Sequence, residues 1–175
     1  MPAYTLPKRG VFMRQTNRFS HISYEQPALI ADVRGNSDHP DIIGNATVYW
    51  LPDAVYIVTE LDGLPPSEVF AVHIHENLVC GEKDSSSPFA EAGGHFRKCS
   101  EDMWCGRPPY EAGALPHIFS DENGHSTGHV YIDRANVQDI SGRPLVLHSY
   151  PRDPSSSSFD GTGIRIACGI LAENI

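Results

Sequence analysis

The chain has 175 residues, of which 40% are hydrophobic and 20% charged, a composition that fits one folded domain and excludes a disordered chain. Its formal net charge of −9 repels phosphate backbones, so nucleic acid is not expected as a partner. The sequence contains no apolar run of about 18 residues, and we therefore expect no membrane-spanning segment.

Residues 1–24 mix basic, aromatic and polar side chains without a period, and we interpret them as an extension preceding a domain over 25–175. From Pro27 onward, short runs rich in Val, Ile, Tyr and Thr are separated by turn-forming residues, which is typical of β-strands. The predicted strands lie in PALIADVRG, NATVYWLP, AVYIVTELDG, EVFAVHIHE, the hairpin IFSDENGHSTGHVYID, RPLVLHSY and IRIACGIL. Seven or eight such strands, with no helical stripe, predict an all-β antiparallel sandwich or flattened barrel.

A long stretch, residues 80–116, has no sustained period of either kind. A loop of that length in a compact domain is usually functional, and something must hold it in place. Three of the four cysteines, Cys80, Cys99 and Cys105, lie in this stretch, and Cys168 lies in the last predicted strand. None forms a C-x-x-C pair, and four cysteines allow three pairings.

Four histidines stand out by their positions. His73 and His75 alternate with Ile74 on a predicted strand, so both imidazoles project to one face at a spacing that can chelate a metal ion. The alternative is that they form the polar outer face of a half-buried strand. His95 follows two glycines, and His148 ends an apolar strand; taken singly, each is also compatible with a structural role.

The motifs HIHE, AGGHF, GRPLVLH and GIRIACG occur in this order, and together they resemble the copper–zinc superoxide dismutase family over residues 27–171. The resemblance implies an eight-stranded Greek-key β-barrel, in which long loops carry the site. It also implies an enzyme that converts superoxide to O₂ and H₂O₂ at a copper ion. The copper ligands that it implies are His73, His75, His95 and His148.

The same resemblance assigns three further roles. Arg165 corresponds to the family's anion-guiding arginine, which would offset the acidic net charge for an anionic substrate. His95 would be catalytic as well as a ligand, because its ring takes up a proton and delivers it to the nascent peroxide. Cys168 would pair with Cys80 and anchor the long loop to the barrel.

The sequence departs from the family at the zinc site. No further histidine lies between His95 and Pro116, and the family's H-x-G-D-L motif is replaced here by EAGAL, which begins at Glu111. We therefore expect copper without zinc. Glu111 would accept a hydrogen bond from the His95 ring; the alternative is a solvated loop acid. Cys99 and Cys105 are expected to form a second disulfide, with a thiolate metal pair as the alternative.

Several properties stay open at this point. A non-enzymatic copper-binding or structural barrel is the alternative function, and residues 1–24 would then suit an attachment arm. The expected disulfides favour an extracytoplasmic or cell-surface location, whereas the N-terminal residues lack the apolar core of a secretory signal and favour an intracellular one. A homodimer is compatible with the family resemblance.

Overall fold

A computed structural model of the chain describes residues 26–81, 87–98, 111–149 and 163–174. The described part is almost entirely β-structure, with one short α-helix and one 3₁₀ turn at Ala90–Ala92. The elements are β1 (Leu29–Gly35), β2 (Ile43–Leu51), β3 (Ala54–Asp62), β4 (Val69–Ile74), β5 (Ile118–Phe119), β6 (Ser126–Ile132), α1 (Val137–Ile140), β7 (Pro144–His148), β8 (Arg165–Ile170) and β9 (Ala172–Glu173).

Eight strands form a continuous antiparallel path in the order β5-β4-β7-β8-β1-β2-β3-β6, and β9 pairs with β1. The first and last strands of this path, β5 and β6, are joined by the tight turn over residues 121–124. That turn closes with a 2.8 Å hydrogen bond from the Asp121 amide to the His125 carbonyl. The path therefore curls into a nearly closed barrel, which confirms the all-β prediction.

Alternation along the strands separates the barrel interior from its surface. On β1, Leu29, Ala31 and Val33 are fully buried, and the residues between them are exposed. Phe70 and Leu145 fill the interior from β4 and β7. The apolar alternation in the sequence therefore indicates correctly which face of β1 meets the core, whereas β4 and β7 are buried on both faces.

The outer face of β4 and β7 is covered by irregular segments of the chain. Ile74 points into the core, and its backbone carbonyl accepts a hydrogen bond from the Phe96 amide at 2.8 Å. The Phe96 carbonyl in turn accepts from the Gly113 amide at 2.8 Å. A residue with a side chain would not fit at Gly113, because its Cβ would lie 2.2 Å from the Ile74 carbonyl oxygen. These close backbone contacts hold two separate segments over the strand that carries the HxH motif.

A disulfide joins Cys80 to Cys168, with a sequence separation of 88 residues and a Cα–Cα distance of 5.9 Å. Phe89, Ala92 and Val146 pack against it as a small apolar cluster outside the main core. The bond therefore ties the segment after β4 to strand β8, the pairing that the family resemblance implies.

Two sequence predictions fall on residues that the structure does not describe. The extension proposed for residues 1–24 and the Cys99–Cys105 pair both lie outside the described ranges. Within those ranges, no helix has the length and the apolar character needed to cross a lipid bilayer.

Candidate metal centre

Four imidazole rings converge on the outer face of the barrel. β4 contributes His73, the residue just after β4 is His75, and β7 ends at His148. His95 reaches the group from the segment that forms an isolated bridge with His75. One ring nitrogen from each of the four lies within 4.8 Å of all the others, the separation expected of atoms around a single metal ion.

His73 is buried in this group, with only 6% of the residue exposed. Its Nδ1 is buried and finds no hydrogen-bond partner in the described part of the chain. The His73 ring stacks on the His95 ring with a centroid separation of 3.9 Å. A buried ring nitrogen without a partner is costly unless a cation or a proton donor completes it.

His75 and His148 bring two further nitrogens to the same point. The Nδ1–H of His75 donates to the Gly93 carbonyl at 3.0 Å, so its Nε2 carries a lone pair. This Nε2 lies 3.3 Å from Nε2 of His148, whose Nδ1 is 3.5 Å from the Gly163 carbonyl. If the Nδ1–H of His148 points at Gly163, both Nε2 atoms carry lone pairs, and a cation between them would remove their repulsion.

His95 is held from its far side by Glu111. Its Nδ1–H donates to Glu111 Oε2 at 2.6 Å, and the second carboxylate oxygen, Oε1, accepts from the Arg97 guanidinium. The Glu111 side chain is only 1% exposed, so the expectation of a solvated loop acid is wrong for this residue. With the proton fixed on Nδ1, the lone pair of His95 lies on Nε2, on the side of the other three rings.

Burial keeps three of the four rings, those of His73, His75 and His148, neutral. Desolvation lowers the pKa of His75 from 6.5 to about 2, with a further contribution from the Arg165 charge. Desolvation also lowers the pKa of His148 to about 3, assisted by His95. The pKa of His73 is lowered still further by burial and by the other rings. Neutral imidazole is the form that binds metal, so the group is ready for a cation at neutral pH.

Arg165 opens strand β8 and lies beside the ring cluster. Its guanidinium donates to the carbonyls of Phe89 and Gly93, both at 2.6 Å. Gly93 therefore accepts from both Arg165 and His75 and connects the arginine to a ring of the cluster. A positive φ of 76° lets Gly93 present its carbonyl in this direction.

The structure thus brings together His73, His75, His95, His148, Arg165 and Glu111, and the disulfide cysteines Cys80 and Cys168 lie on the supporting loop and on β8. The sequence analysis missed two contributors, Arg97 and the Gly93 carbonyl. Arg97 gave no signal, because a charged residue in an aperiodic stretch is most often solvated. The sequence indicates Gly93 only as one of the two glycines that precede His95.

The donor set fits copper. Four neutral nitrogen ligands suit Cu(II) in a tetragonal plane, and a looser arrangement of the same imidazoles accepts Cu(I). The unpartnered Nδ1 of His73 and the facing Nε2 atoms of His75 and His148 are the two observations that a bound cation would explain.

Comparison with known sequences identifies relatives of the chain. Residues 42–171 match the sequence family described as copper/zinc superoxide dismutase (SODC). A copper–zinc superoxide dismutase of Caulobacter vibrioides is 31% identical over 139 residues, which cover 73% of this chain and 77% of the relative. A second relative, copper–zinc superoxide dismutase 2 of Aquifex aeolicus, is 30% identical over 141 residues, which cover 75% of this chain and 80% of the relative.

Solved structures show the same fold. The Cu/Zn superoxide dismutase from Brucella abortus aligns with a TM-score of 0.64 at 23% identity and covers 81% of this chain and 97% of its own. A double mutant of a superoxide dismutase-like protein from Bacillus subtilis aligns with a TM-score of 0.65 at 21% identity, covering 83% of this chain and 99% of its own.

Proposed function

Because the chain belongs to the copper/zinc superoxide dismutase family, we propose that it is a copper-dependent superoxide dismutase whose site works without zinc. The reaction converts two superoxide anions and two protons to O₂ and H₂O₂. Copper, when bound, supplies the one-electron exchange with superoxide. The observation that carries the proposal is the convergence of four imidazole nitrogens within 4.8 Å of one another.

The four histidines would hold the metal through Nδ1 of His73 and through Nε2 of His75, His95 and His148. This assignment follows from the hydrogen bonds that occupy the remaining nitrogens, since His75 Nδ1 bonds Gly93 and His95 Nδ1 bonds Glu111. Three Nε2 donors and one Nδ1 donor therefore remain for the ion.

Arg165 would bring the substrate to the site. The protein carries a net charge of −9, so an anion approaching it meets repulsion unless a local positive charge opposes it. The guanidinium is oriented by the carbonyls of Phe89 and Gly93, and its charge acts on the His75 ring. It can hydrogen-bond one superoxide next to the ligand cluster.

His95 would move the proton. Its Nδ1–H is retained by Glu111 at 2.6 Å, so Nε2 is the ring atom that would take up a proton while it does not hold the metal and would then release that proton to peroxide. The charge of the Glu111 carboxylate stabilises the protonated ring while it carries that proton.

The absence of zinc is supported by the same contact. A second metal on His95 would need Nδ1, the nitrogen that Glu111 engages, and EAGAL stands where the family has further zinc ligands. We therefore expect elemental analysis of the purified protein to find copper at one equivalent per chain and zinc well below that. Stoichiometric zinc together with copper would contradict the zinc-free part of the proposal.

Activity is tested on copper-loaded protein by following superoxide decay in stopped flow. We expect wild type to be active. We expect His148→Ala to lose copper affinity by at least about 100-fold, because removing a metal ligand costs more affinity than removing a residue that only orients a ligand. We expect Arg165→Gln to retain copper but to lose turnover by about 10-fold or more. A protein that binds copper without consuming superoxide, and in which Arg165→Gln changes nothing, would be a copper-binding barrel and not an enzyme.

A further inference from the structure

The two oxygens of the Glu111 carboxylate contact different partners. Oε2 accepts from the His95 ring at 2.6 Å, whereas Oε1 accepts from Arg97, with Nε at 3.0 Å and Nη2 at 2.9 Å. The carboxylate is 1% exposed, so these contacts replace the water that a free carboxylate would bind. Arg97 is the cation that compensates this buried acid in the described part of the chain.

The short segment 95–97 contacts the Glu111 carboxylate through two side chains. The Phe96 amide donates to the Ile74 carbonyl, and the Phe96 carbonyl accepts from the Gly113 amide, so the backbone of this residue is held at both of its polar groups. The Phe96 side chain packs in the core, whereas the side chains of its two neighbours, His95 and Arg97, both reach Glu111. His95 and Arg97 therefore meet the same carboxylate, and each takes one oxygen.

We propose that Arg97 is a positioning residue of the copper centre: by holding Oε1 of Glu111, it keeps Oε2 aimed at Nδ1 of His95 and thereby directs Nε2 toward the other three rings. The inference rests on the proposed copper site and adds a residue to it. The contact chain Arg97–Glu111–His95 replaces, with side chains alone, the orienting role that a neighbouring metal would have on the same ring nitrogen.

The shape of the side chain matters as well as its charge. The guanidinium places two nitrogens of its rigid fork, Nε and Nη2, within 3.0 Å of a single oxygen, which fixes the position of Oε1. An ammonium is a point charge on a flexible stem and has no such rigid pair of donors. The neighbouring cation, Lys98, bonds Asp139 at 2.6 Å and so offers a control that removes a charge from the same segment without touching Glu111.

The first test uses metal-free protein and nitrogen-15 NMR of the histidine rings. In wild type we expect a slowly exchanging Nδ1–H on His95. In Arg97→Met we expect its exchange with water to be about 10-fold faster, and in Lys98→Met unchanged. Equal exchange in wild type and Arg97→Met would overturn the inference, as would an equal acceleration in Lys98→Met.

The second test measures copper affinity and the Cu(II) EPR spectrum. We expect Arg97→Met to bind copper about 10-fold more weakly with altered EPR parameters, because loss of a group behind a ligand costs about 10–100-fold in affinity. Arg97→Lys should recover part of the affinity and keep the altered spectrum. It also serves as the test variant if Arg97→Met does not fold. A wild-type spectrum in Arg97→Lys would show that charge alone suffices and would overturn the positioning role.

A double-mutant cycle shows whether Arg97 acts through Glu111. In a Glu111→Gln background, Arg97→Met should weaken copper binding by less than 2-fold, compared with about 10-fold in wild type. Equal effects in both backgrounds would overturn the inference. The NMR test needs neither copper nor activity. If the wild-type protein showed no superoxide activity, the proposed function alone would be overturned. Exchange of the His95 ring proton with water would still test this inference.

Discussion

His73, His75 and His148 lie on, or directly after, the paired strands β4 and β7, whereas His95 lies on a segment without regular strand structure. Strand pairing fixes the first three rings, because the register between β4 and β7 sets their distance. The fourth ring depends on single polar contacts: two backbone hydrogen bonds at Phe96 and the Glu111 carboxylate. The centre therefore has two halves. The rigid, strand-borne half consists of His73, His75 and His148. In the other, which we call the segment-borne half, His95 and Arg165 are oriented by the Glu111 carboxylate and by loop carbonyls.

This difference separates the contacts that the barrel itself provides from those that single side chains and loop carbonyls provide. The strand-borne rings lie on the barrel, and their positions follow from its hydrogen bonds. The segment-borne half depends on individual polar contacts, such as the bond from His95 to the Glu111 carboxylate. Substitutions in the two halves should therefore fail differently: the first through stability of the barrel, the second through geometry of His95 and Arg165.

The largest expected effect comes from removing the Cys80–Cys168 bond, which ties the loop after β4 to β8. The bond crosslinks residues 88 positions apart, and the chain-entropy account assigns such a closure about 4–5 kcal/mol. We expect the double variant Cys80→Ala/Cys168→Ala to lose about that much free energy of unfolding. Urea unfolding of the metal-free protein measures it.

Reduction of a Cys99→Ala/Cys105→Ala variant provides the matching control, because it breaks the Cys80–Cys168 bond alone without changing either of its cysteines. The loop also carries the Phe89 and Gly93 carbonyls that hold Arg165, so turnover should fall further than copper content. A double variant as stable as wild type would show that the apolar cluster around Phe89 holds the loop without the bond.

The rigid half could be predicted from sequence with few observations. The strict alternation around Ile74 places His73 and His75 on one face, and the apolar run before His148 makes a buried strand that ends in a polar residue. Both patterns report directly on hydrogen-bonded strands, whose period is two. For the same reason the barrel strands were predicted correctly, although β9 and the four-residue helix α1 are too short to give a signal.

The segment-borne half could be predicted only in part. The ordered motifs identify His95, Arg165 and Glu111, but they do not show that the glutamate is buried. Burial of Glu111 depends on Arg97 and on the close approach at Gly113, which are long-range contacts in an aperiodic stretch. No local propensity encodes such contacts, so they cannot be predicted from the composition or the periodicity of the sequence.

The second effect is a pH dependence that originates in the rigid half. The pKa values of His75 and His148 are about 2 and 3 in the folded chain against 6.5 when exposed, so below pH 6.5 the unfolded chain binds more protons. The free energy of unfolding of metal-free protein should therefore be highest above pH 6.5. It should fall by up to about 1.4 kcal/mol per pH unit for each such histidine as the pH drops.

Urea titrations at pH 7, 6 and 5 measure this slope. His148→Gln removes one of the buried groups and should reduce the slope by up to about 1.4 kcal/mol per pH unit. An exposed histidine offers the control: bonding to Asp62 raises the pKa of His125, so His125→Gln should not reduce the loss of stability below pH 6.5. A free energy of unfolding that is constant from pH 7 to pH 5 would show that the rings are not buried as neutral groups.

The smallest effect on stability, and the sharpest comparison of the two halves, comes from Gly93. Its φ of 76° is unfavourable for other residues, and a Cβ there would lie 2.7 Å from Asn77 Nδ2. We expect Gly93→Ala to lose about 1–3 kcal/mol of unfolding free energy. Gly142 has the same φ of 76°, yet a Cβ there would lie 3.8 Å from Leu78 Cδ2, so Gly142→Ala isolates the backbone strain.

Stability and turnover should separate in this pair of variants. The Gly93 carbonyl accepts from both His75 and Arg165, so moving it disturbs a strand-borne ring and the arginine at once. Copper-loaded Gly93→Ala should therefore lose superoxide turnover by about 10-fold, the scale of losing one orienting partner, and Gly142→Ala should keep it. Equal turnover in the two variants would mean that the shared carbonyl does not orient the site, and that the strand-borne ring and Arg165 are held independently.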